Sequence, residues 1–322
     1  MENRCEEMRD KLLCLLGDDG FVSGERLAND LRVSRTAVWK QIESLRKLGY
    51  EIESVKNKGY RLVSRPDVPI PEEIISGLDT QIVGRGVVYF KTLSSTNVYA
   101  RKLVDDGVAE GTVVVADVQH RGRGRKDRTW FSPEDGLWFS VILSPGIPPQ
   151  RGMMLTMVAS VSVVQAMRDV TGLSPVIKWP NDVLIDGKKV CGVLTELDAE
   201  MDRINYSIVG IGVNVNNRLD EGLYEKATTL LEEFGSKVSR VQLLRCILKR
   251  FDENYLRLME GDYGFIRDKW VSMSNIVDRK VLVRDDDKTI QGIVSGVDED
   301  GCLILKTDSG TQRIFSGDVE YL

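Results

Sequence analysis

The chain has 322 residues, a mass of 36.2 kDa and a net charge of −5, with 42% hydrophobic and 29% charged residues. That is the composition of an ordinary soluble globular protein, long for one domain and sized for two or three. Its single histidine, His120, excludes Ser-His-Asp or Cys-His catalysis unless other residues act as base, and it excludes a His-rich zinc site. Cys5, Cys14, Cys191, Cys246 and Cys302 form no CxxC pair, which suits reduced thiols in a cytoplasm. The polar, acidic first ten residues carry no signal-peptide pattern. The most apolar helical stretch, 153–167, is read as too short to span a bilayer and as a core helix.

In chain order, Leu12, Leu13, Leu15 and Leu16 predict a first helix ending near Gly17. Ser23 caps a second helix over 24–31, and Ser34 caps a third with Val38, Ile42, Leu45 and Leu48 on one face. Arg35, Thr36, Trp39, Lys40, Glu43 and Lys47 then point outward. The runs 50–55 and 60–63, joined by Lys56-Asn57-Lys58-Gly59, predict a hairpin. Three short helices and a basic hairpin predict a winged helix-turn-helix over residues 1–66, with the third helix reading DNA through Arg35, Thr36, Trp39 and Lys40 and the wing adding Lys58. The region holds 13 basic and 11 acidic residues, a modest footprint that calls for a dimer on DNA. A three-helix domain used for protein contacts is the alternative.

Pro66, Pro69 and Pro71 mark a linker. A strand over 87–90 leads through Ser94-Ser95-Thr96-Asn97 into a helix, where the hydroxyls and amide either cap the helix or bind a ligand. Strands over 112–118 and 137–143 flank the stretch Gln119-His120-Arg121-Gly122-Arg123-Gly124-Arg125-Lys126-Asp127-Arg128-Thr129-Trp130. Between 121 and 128 it holds five basic residues and one acidic. Alternating glycines let guanidinium groups and backbone amides approach a polyanion, so this loop, held at its ends and free in its middle, is the leading candidate binding element. A solvated charge run is the plain alternative.

After the apolar helix, the run 176–185 turns at Asp186-Gly187 into 190–197. Lys178 sits between Ile177 and Trp179 in an otherwise buried strand, where it needs either a structural carboxylate or a bound anion. The run 206–216 is a strand with Gly210 and Gly212 spaced for close backbone approach. A polar segment over 216–227 reads as a loop and 241–259 as a long helix. From 276 on, short alternating runs over 280–284, 289–294, 302–306 and 312–315, with a turn at Asp285-Asp286-Asp287, predict a small β domain carrying six basic and ten acidic residues.

In this order Ser95-Thr96-Asn97, the Gly-Arg-Gly-Arg stretch, Lys178-Trp179-Pro180-Asn181-Asp182 and Gly210-Ile211-Gly212-Val213-Asn214 resemble the biotin protein ligase family, closely over 87–216. With the winged N-terminus, the whole chain resembles the bifunctional type, a biotin operon repressor that is also a ligase. The resemblance implies an α+β architecture: a winged helix-turn-helix at 1–66, a mixed α/β catalytic domain like class II aminoacyl-tRNA synthetases at 67–275, and an SH3-like barrel at 276–322. It implies ATP-dependent formation of biotinyl-5′-AMP, then transfer of biotin to a lysine of a biotin carboxyl carrier protein. By similarity Ser95, Thr96, Asn97, Gln119, Arg123, Gly124, Arg125 and Lys178 meet biotin, and Arg125, Arg128, Trp130, Lys178, Asn181 and Asn214 meet the nucleotide. Lys178, Arg123 and Arg125 would be catalytic and Asp182 a ligand of Mg²⁺. Biotinyl-5′-AMP would act as corepressor, favouring a homodimer on operator DNA, in the cytoplasm and without a membrane role. The resemblance departs at Asp127, where the family more usually has glycine, and this bears on Arg128 and on loop ordering. Other readings are lipoate or octanoate transfer on the same fold, a DNA-binding biotin sensor without ligase activity, and a ligase whose head no longer regulates.

Overall fold

The computed structural model describes residues 2–17, 20–285 and 288–322, and it divides into two compact units, Met1–Val68 and Pro69–Leu322. The first unit holds α1 (Glu2–Leu16), α2 (Gly24–Asp30), α3 (Arg35–Lys47), β1 (Glu51–Val55) and β2 (Gly59–Ser64). Ser23 Oγ accepts from the Arg26 amide at 3.1 Å and Ser34 Oγ from the Ala37 amide at 3.2 Å, so the expected caps start α2 and α3. Leu12, Leu16, Leu27, Val38, Ile42 and Leu45 are buried together with Ile52 and Leu62 of the hairpin. The hairpin turns back at Gly59, whose φ of +108° would be strained for any side chain and whose Cβ would fall 2.0 Å from the Val22 carbonyl. That close approach lets Val22 and Tyr60 exchange two backbone hydrogen bonds and fixes the wing beside α2.

In the second unit follow α4 (Pro71–Ile75), β3 (Val87–Leu93), α5 (Thr96–Asp105), β4 (Val113–Gln119), β5 (Leu137–Leu143) and α6 (Met153–Thr171). Next come β6 (Val176–Lys178), β7 (Asp182–Ile185), β8 (Lys188–Ala199), β9 (Ile204–Val213), α7 (Leu230–Phe234), α8 (Arg240–Met259) and α9 (Tyr263–Ser272). The chain ends in β10 (Lys280–Asp285), β11 (Lys288–Val297), β12 (Leu303–Thr307), β13 (Gly310–Ile314) and β14 (Asp318–Tyr321). Part of the expected Asp285-Asp286-Asp287 turn, residues 286 and 287, lies outside the described residues.

A seven-stranded sheet in the order β3-β4-β5-β9-β8-β7-β6 is antiparallel except for the parallel pair β3-β4. One face is covered by α6 and α8, and α5 packs on the other with Ala100, Val114, Ile142 and Ile208 as a small second cluster. The stretch 149–171 is longer than sequence suggested, and by length and apolarity alone it is able to cross a membrane. Its apolar 18-residue window is 72% buried, which makes it the core helix expected. The five C-terminal strands form an antiparallel sheet in the order β13-β12-β11-β10-β14. Val281, Val283, Val294, Leu303 and Leu305 of this sheet share one continuous core with the large sheet, and Trp179 Nε1 donates to the Gly301 carbonyl at 3.3 Å. The run 176–185 is not one strand: it breaks at the cis Trp179-Pro180 bond into β6 and β7, which pair with Lys178 opposite Asp182.

Candidate active site

Along β8 and β9, the side chains of Val193, Ile211 and Val213 point into the α6/α8 core, and the other face presents Gly192, Leu194, Gly210 and Gly212. Gly192 and Gly212 are register partners, and Gly210 lies opposite Leu194. Three glycines on this face open a cleft of about 260 Å³. A Cβ at Gly212 would fall 2.5 Å from Trp130 Nε1, at Gly192 3.1 Å from the same indole ring, and at Gly210 2.1 Å from Asn97 Oδ1. The glycine spacing read from the sequence therefore serves the approach of Trp130 and Asn97 to bare backbone.

One wall is a chain of polar groups. Ser95 takes the N-cap position of α5 without a capping hydrogen bond, so Thr96 and Asn97 lie in the first helical turn, both buried. The Thr96 amide and Oγ1 donate to Gln119 Oε1 at 2.8 and 3.1 Å, and Gln119 Nε2 donates to Ser132 Oγ at 3.0 Å. The Ser140 hydroxyl, fully buried, is 2.7 Å from Thr96 Oγ1 and 2.6 Å from Asn97 Oδ1. Asn97 Nδ2 donates to Glu196 Oε2 at 2.8 Å. These groups are fixed by one another before any ligand arrives, which is what a recognition surface needs.

The Gly-Arg loop forms the rim. It closes on itself through Trp130 N to Gly122 O at 2.9 Å and Gly124 N to Arg128 O at 2.7 Å. The expectation of a free middle is corrected. Arg123 Nη1 lies 3.1 Å from Glu196 on β8, and Arg125 Nη1 donates to Asn181 Oδ1 at 3.2 Å and to the Gly317 carbonyl at 3.3 Å. Lys126 Nζ is 3.4 Å from Asp285, and Arg128 pairs with Asp318. The Ser316 hydroxyl, and after it Lys126, holds the Asp285 carboxyl below the ordinary carboxylate range. The C-terminal sheet thus straps the loop down from outside. Lys126 and Asp127 both adopt left-handed backbone, with φ of +53° and +56°. The departure from glycine at 127 falls where a side chain is strained, and aspartate is among the residues that best tolerate it.

The two lysines of this region are placed differently. Lys178 is half-buried, with Nζ 5.4 Å from the centre of the Tyr321 ring, and it does not line the cleft. Lys189 does: its Nζ is 2.6 Å from Asp182 Oδ1 and 5.0 Å from the Trp130 ring centre. Alternation from Cys191 and Val193 would have turned Lys189 into the core. A bulge between β7 and β8 at Val190 reverses it, because Val183 pairs with Cys191 but Leu184 with Lys189. The 216–227 segment brackets this lysine, with Lys189 N donating to Lys226 O and Thr228 N to Lys189 O at 2.9 and 3.0 Å. Leu219, Leu223 and Lys226 of that segment reach the cleft. Cys191, next along β8, has its thiol pushed up by burial, so it stays protonated and serves packing.

Arg123, Arg125, Arg128, Lys189 and Lys226 line the cleft against the carboxylates Asp182 and Asp318, so it favours an anionic ligand. Ser95, Thr96, Asn97, Gln119 and Gly124 cluster toward the polar wall, and Trp130, Asn181, Asp182 and Asn214 also line the space. Every residue expected here except Lys178 is brought together. Sequence reasoning missed Lys189 and Glu196. In the first unit Arg35, Thr36, Trp39 (52% exposed), Lys40 and Lys58 are all on the surface, a solvent-facing strip of helix and wing.

The biotin/lipoate A/B protein ligase family matches residues 89–214, an HTH domain matches 8–61, and the biotin protein ligase C-terminal domain matches 277–321. The bifunctional ligase/repressor BirA of Bacillus subtilis (strain 168) is 42% identical over 319 residues, spanning 97% of this chain and 98% of the relative. The Escherichia coli (strain K12) protein of the same name is 29% identical over 318 residues, spanning 96% and 95%. A solved biotin protein ligase from Aquifex aeolicus, in complex with biotin and ATP, superimposes with a TM-score of 0.65 at 34% identity, over 74% of this chain and 99% of that one.

Proposed function

The chain belongs to the biotin protein ligase family in its bifunctional ligase/repressor form, and on that premise we propose how its cleft carries out the reaction. It is a biotin–protein ligase and a biotin-responsive repressor. Biotin carboxylate attacks the α-phosphorus of ATP, pyrophosphate leaves, and biotinyl-5′-AMP remains. The carrier lysine then attacks the acyl carbon, forming an amide and releasing AMP. A carboxylate needs no general base for the first step. What it needs is positive charge to offset its repulsion from the triphosphate and to stabilise the leaving group.

One observation carries this reading: Lys189 and the strapped Gly-Arg loop face the same glycine-floored cleft whose other wall is the Thr96–Asn97–Gln119 network. We assign biotin to that polar wall, with Ser95, Thr96, Asn97, Gln119 and Gly124 around its ring. We assign ATP to Arg125, Arg128, Trp130, Asn181 and Asn214, and Lys189 to the junction where carboxylate meets α-phosphate, the role first given to Lys178. Arg123, engaged by Glu196, orders the loop around the bound acid. The strapped loop and the 216–227 segment beside it exclude water from the mixed anhydride.

Among the described residues no group of three or more His, Cys, Asp or Glu is placed to hold a metal. The cleft's carboxylates, Asp182 and Asp318, are already paired with cations. Asp182 is the cleft carboxylate that would hold Mg²⁺, whose charge would offset that of the phosphates.

We assign residues 1–66 to operator recognition, 67–275 to adenylation on a class II synthetase-like domain, and 276–322 to an SH3-like domain supporting the loop. The mostly antiparallel large sheet and the five-stranded antiparallel C-terminal sheet support the last two. The carrier is a biotin carboxyl carrier protein, and adenylate binding drives a cytoplasmic homodimer onto two half-sites. Incubation with biotin, Mg-ATP and a carrier domain, followed by intact-mass analysis, tests the ligase. An unmodified carrier overturns it, and transfer of lipoate in preference would favour the lipoyl branch of the family.

A further inference from the structure

Resting on the ligase reading above, we propose that Glu196 is a positioning residue that sets which way the Asn97 amide faces and so gives the cleft its preference for a ring bearing N–H donors. Glu196 lies on β8, on the cleft side of the strand, yet it stands behind the pocket lining and does not reach the ligand space. Its side chain is 19% exposed. One carboxylate oxygen takes Asn97 Nδ2 at 2.8 Å; the other takes Arg123 Nη1 at 3.1 Å and has Arg101 Nη2 at 3.8 Å.

An amide presents two donors on one end and only lone pairs on the other, and the two ends have nearly the same shape. Contacts of shape alone therefore leave its sense open. A carboxylate accepts and never donates, so the end facing Glu196 must be the NH₂ group. Asn97 Oδ1 is then forced to the opposite side, where it meets the Ser140 hydroxyl at 2.6 Å and lies over Gly210 at the cleft floor. With one lone pair on Ser140, the second remains for an N–H of the ligand. A cyclic urea offers such a group and a dithiolane ring does not. The carboxylate also pins Arg123, so one side chain couples the seating of the Gly-Arg rim to the polarity of the wall beneath it. With glutamine at 196, the only acceptor-only contact left to hold the sense of Asn97 is the long one from Nδ2 to the Leu194 carbonyl at 3.5 Å, and Arg123 keeps only Asp127, 3.9 Å away, as an anionic neighbour among its described ion pairs.

The test uses the full-length chain with Glu196→Gln and Glu196→Asp, measuring KM for biotin and for ATP, the thermal midpoint, and inhibition by lipoate. Glu196→Gln is expected to raise the biotin KM roughly ten- to a hundredfold, the worth of a charge-assisted hydrogen bond. The ATP KM and the thermal midpoint stay put, and lipoate competes better than in the wild type. Glu196→Asp, charged but shorter, falls closer to wild type than Glu196→Gln. An unchanged biotin KM in Glu196→Gln, a parallel loss for biotin and ATP, a variant that does not fold, or the reverse order of the two variants overturns the proposal. Absence of biotinyl-5′-AMP formation by the wild-type chain would instead overturn the ligase reading, whatever the variants do.

Discussion

Lys189 Nζ stands 2.6 Å from Asp182 Oδ1, across the hairpin that joins β7 to β8, with the Trp130 ring 5.0 Å away on its other side. A half-buried ammonium needs an anionic neighbour, and Asp182 supplies one; in the mechanism proposed above, substrate carboxylate and phosphate would come to share the lysine. Lys189→Ala should slow pyrophosphate release by about a hundredfold or more, the scale seen when one charge-stabilising donor is removed. Lys178→Ala, whose lysine lies beside Tyr321 outside the cleft, should stay within about tenfold of wild type. If the two variants exchanged places in a pyrophosphate assay, the lysine assignment would be wrong.

Gly210→Ala puts a methyl group 2.1 Å from Asn97 Oδ1, an overlap that neither the strand nor the amide relieves without moving. We expect a stability loss of about 1–3 kcal/mol from overpacking, together with a sharp fall in biotin affinity. Denaturant unfolding and calorimetric titration check both. Wild-type affinity in a folded Gly210→Ala protein would show that Asn97 does not border the biotin site.

Arg125 reaches from the loop to Asn181 on one side and to the Gly317 carbonyl of the C-terminal sheet on the other. Removing it in Arg125→Gly loosens the rim from both anchors at once. The dissociation rate of biotinyl-5′-AMP should rise about tenfold or more, since loss of such contacts acts mainly on departure. A rapid-dilution measurement of adenylate release decides the matter, and an unaltered rate argues against the loop as a lid.

Arg35 opens α3 on the exposed strip of the first unit, and that unit forms its own compact body. Arg35→Ala should weaken operator binding by about 1–3 kcal/mol and leave carrier biotinylation untouched. Gel-shift titration beside a ligation assay separates the two functions. An equal drop in both would mean that they are not modular.

Local chemistry made much of this protein legible. Ser23 and Ser34 marked their helices because a hydroxyl at that position satisfies an open amide, whatever the rest of the chain does. The β5 strand, the Asp186-Gly187 turn and the spaced glycines at 210 and 212 were readable for the same reason: each follows from backbone geometry within a few residues. The short α7 and α9 and the last strand, β14, left no periodic pattern long enough to read. Which lysine enters the cleft was decided by tertiary structure, because one bulge residue, Val190, inverts the alternation on which a strand reading depends. The strapping of the Gly-Arg loop to Gly317 and Asp318, and the grip of Glu196 on Asn97, join residues about a hundred or more positions apart. Composition and periodicity carry no record of such pairings: the strap exists only once the two sheets share a core, and the Asn97–Glu196 pair only once α5 packs on the large sheet.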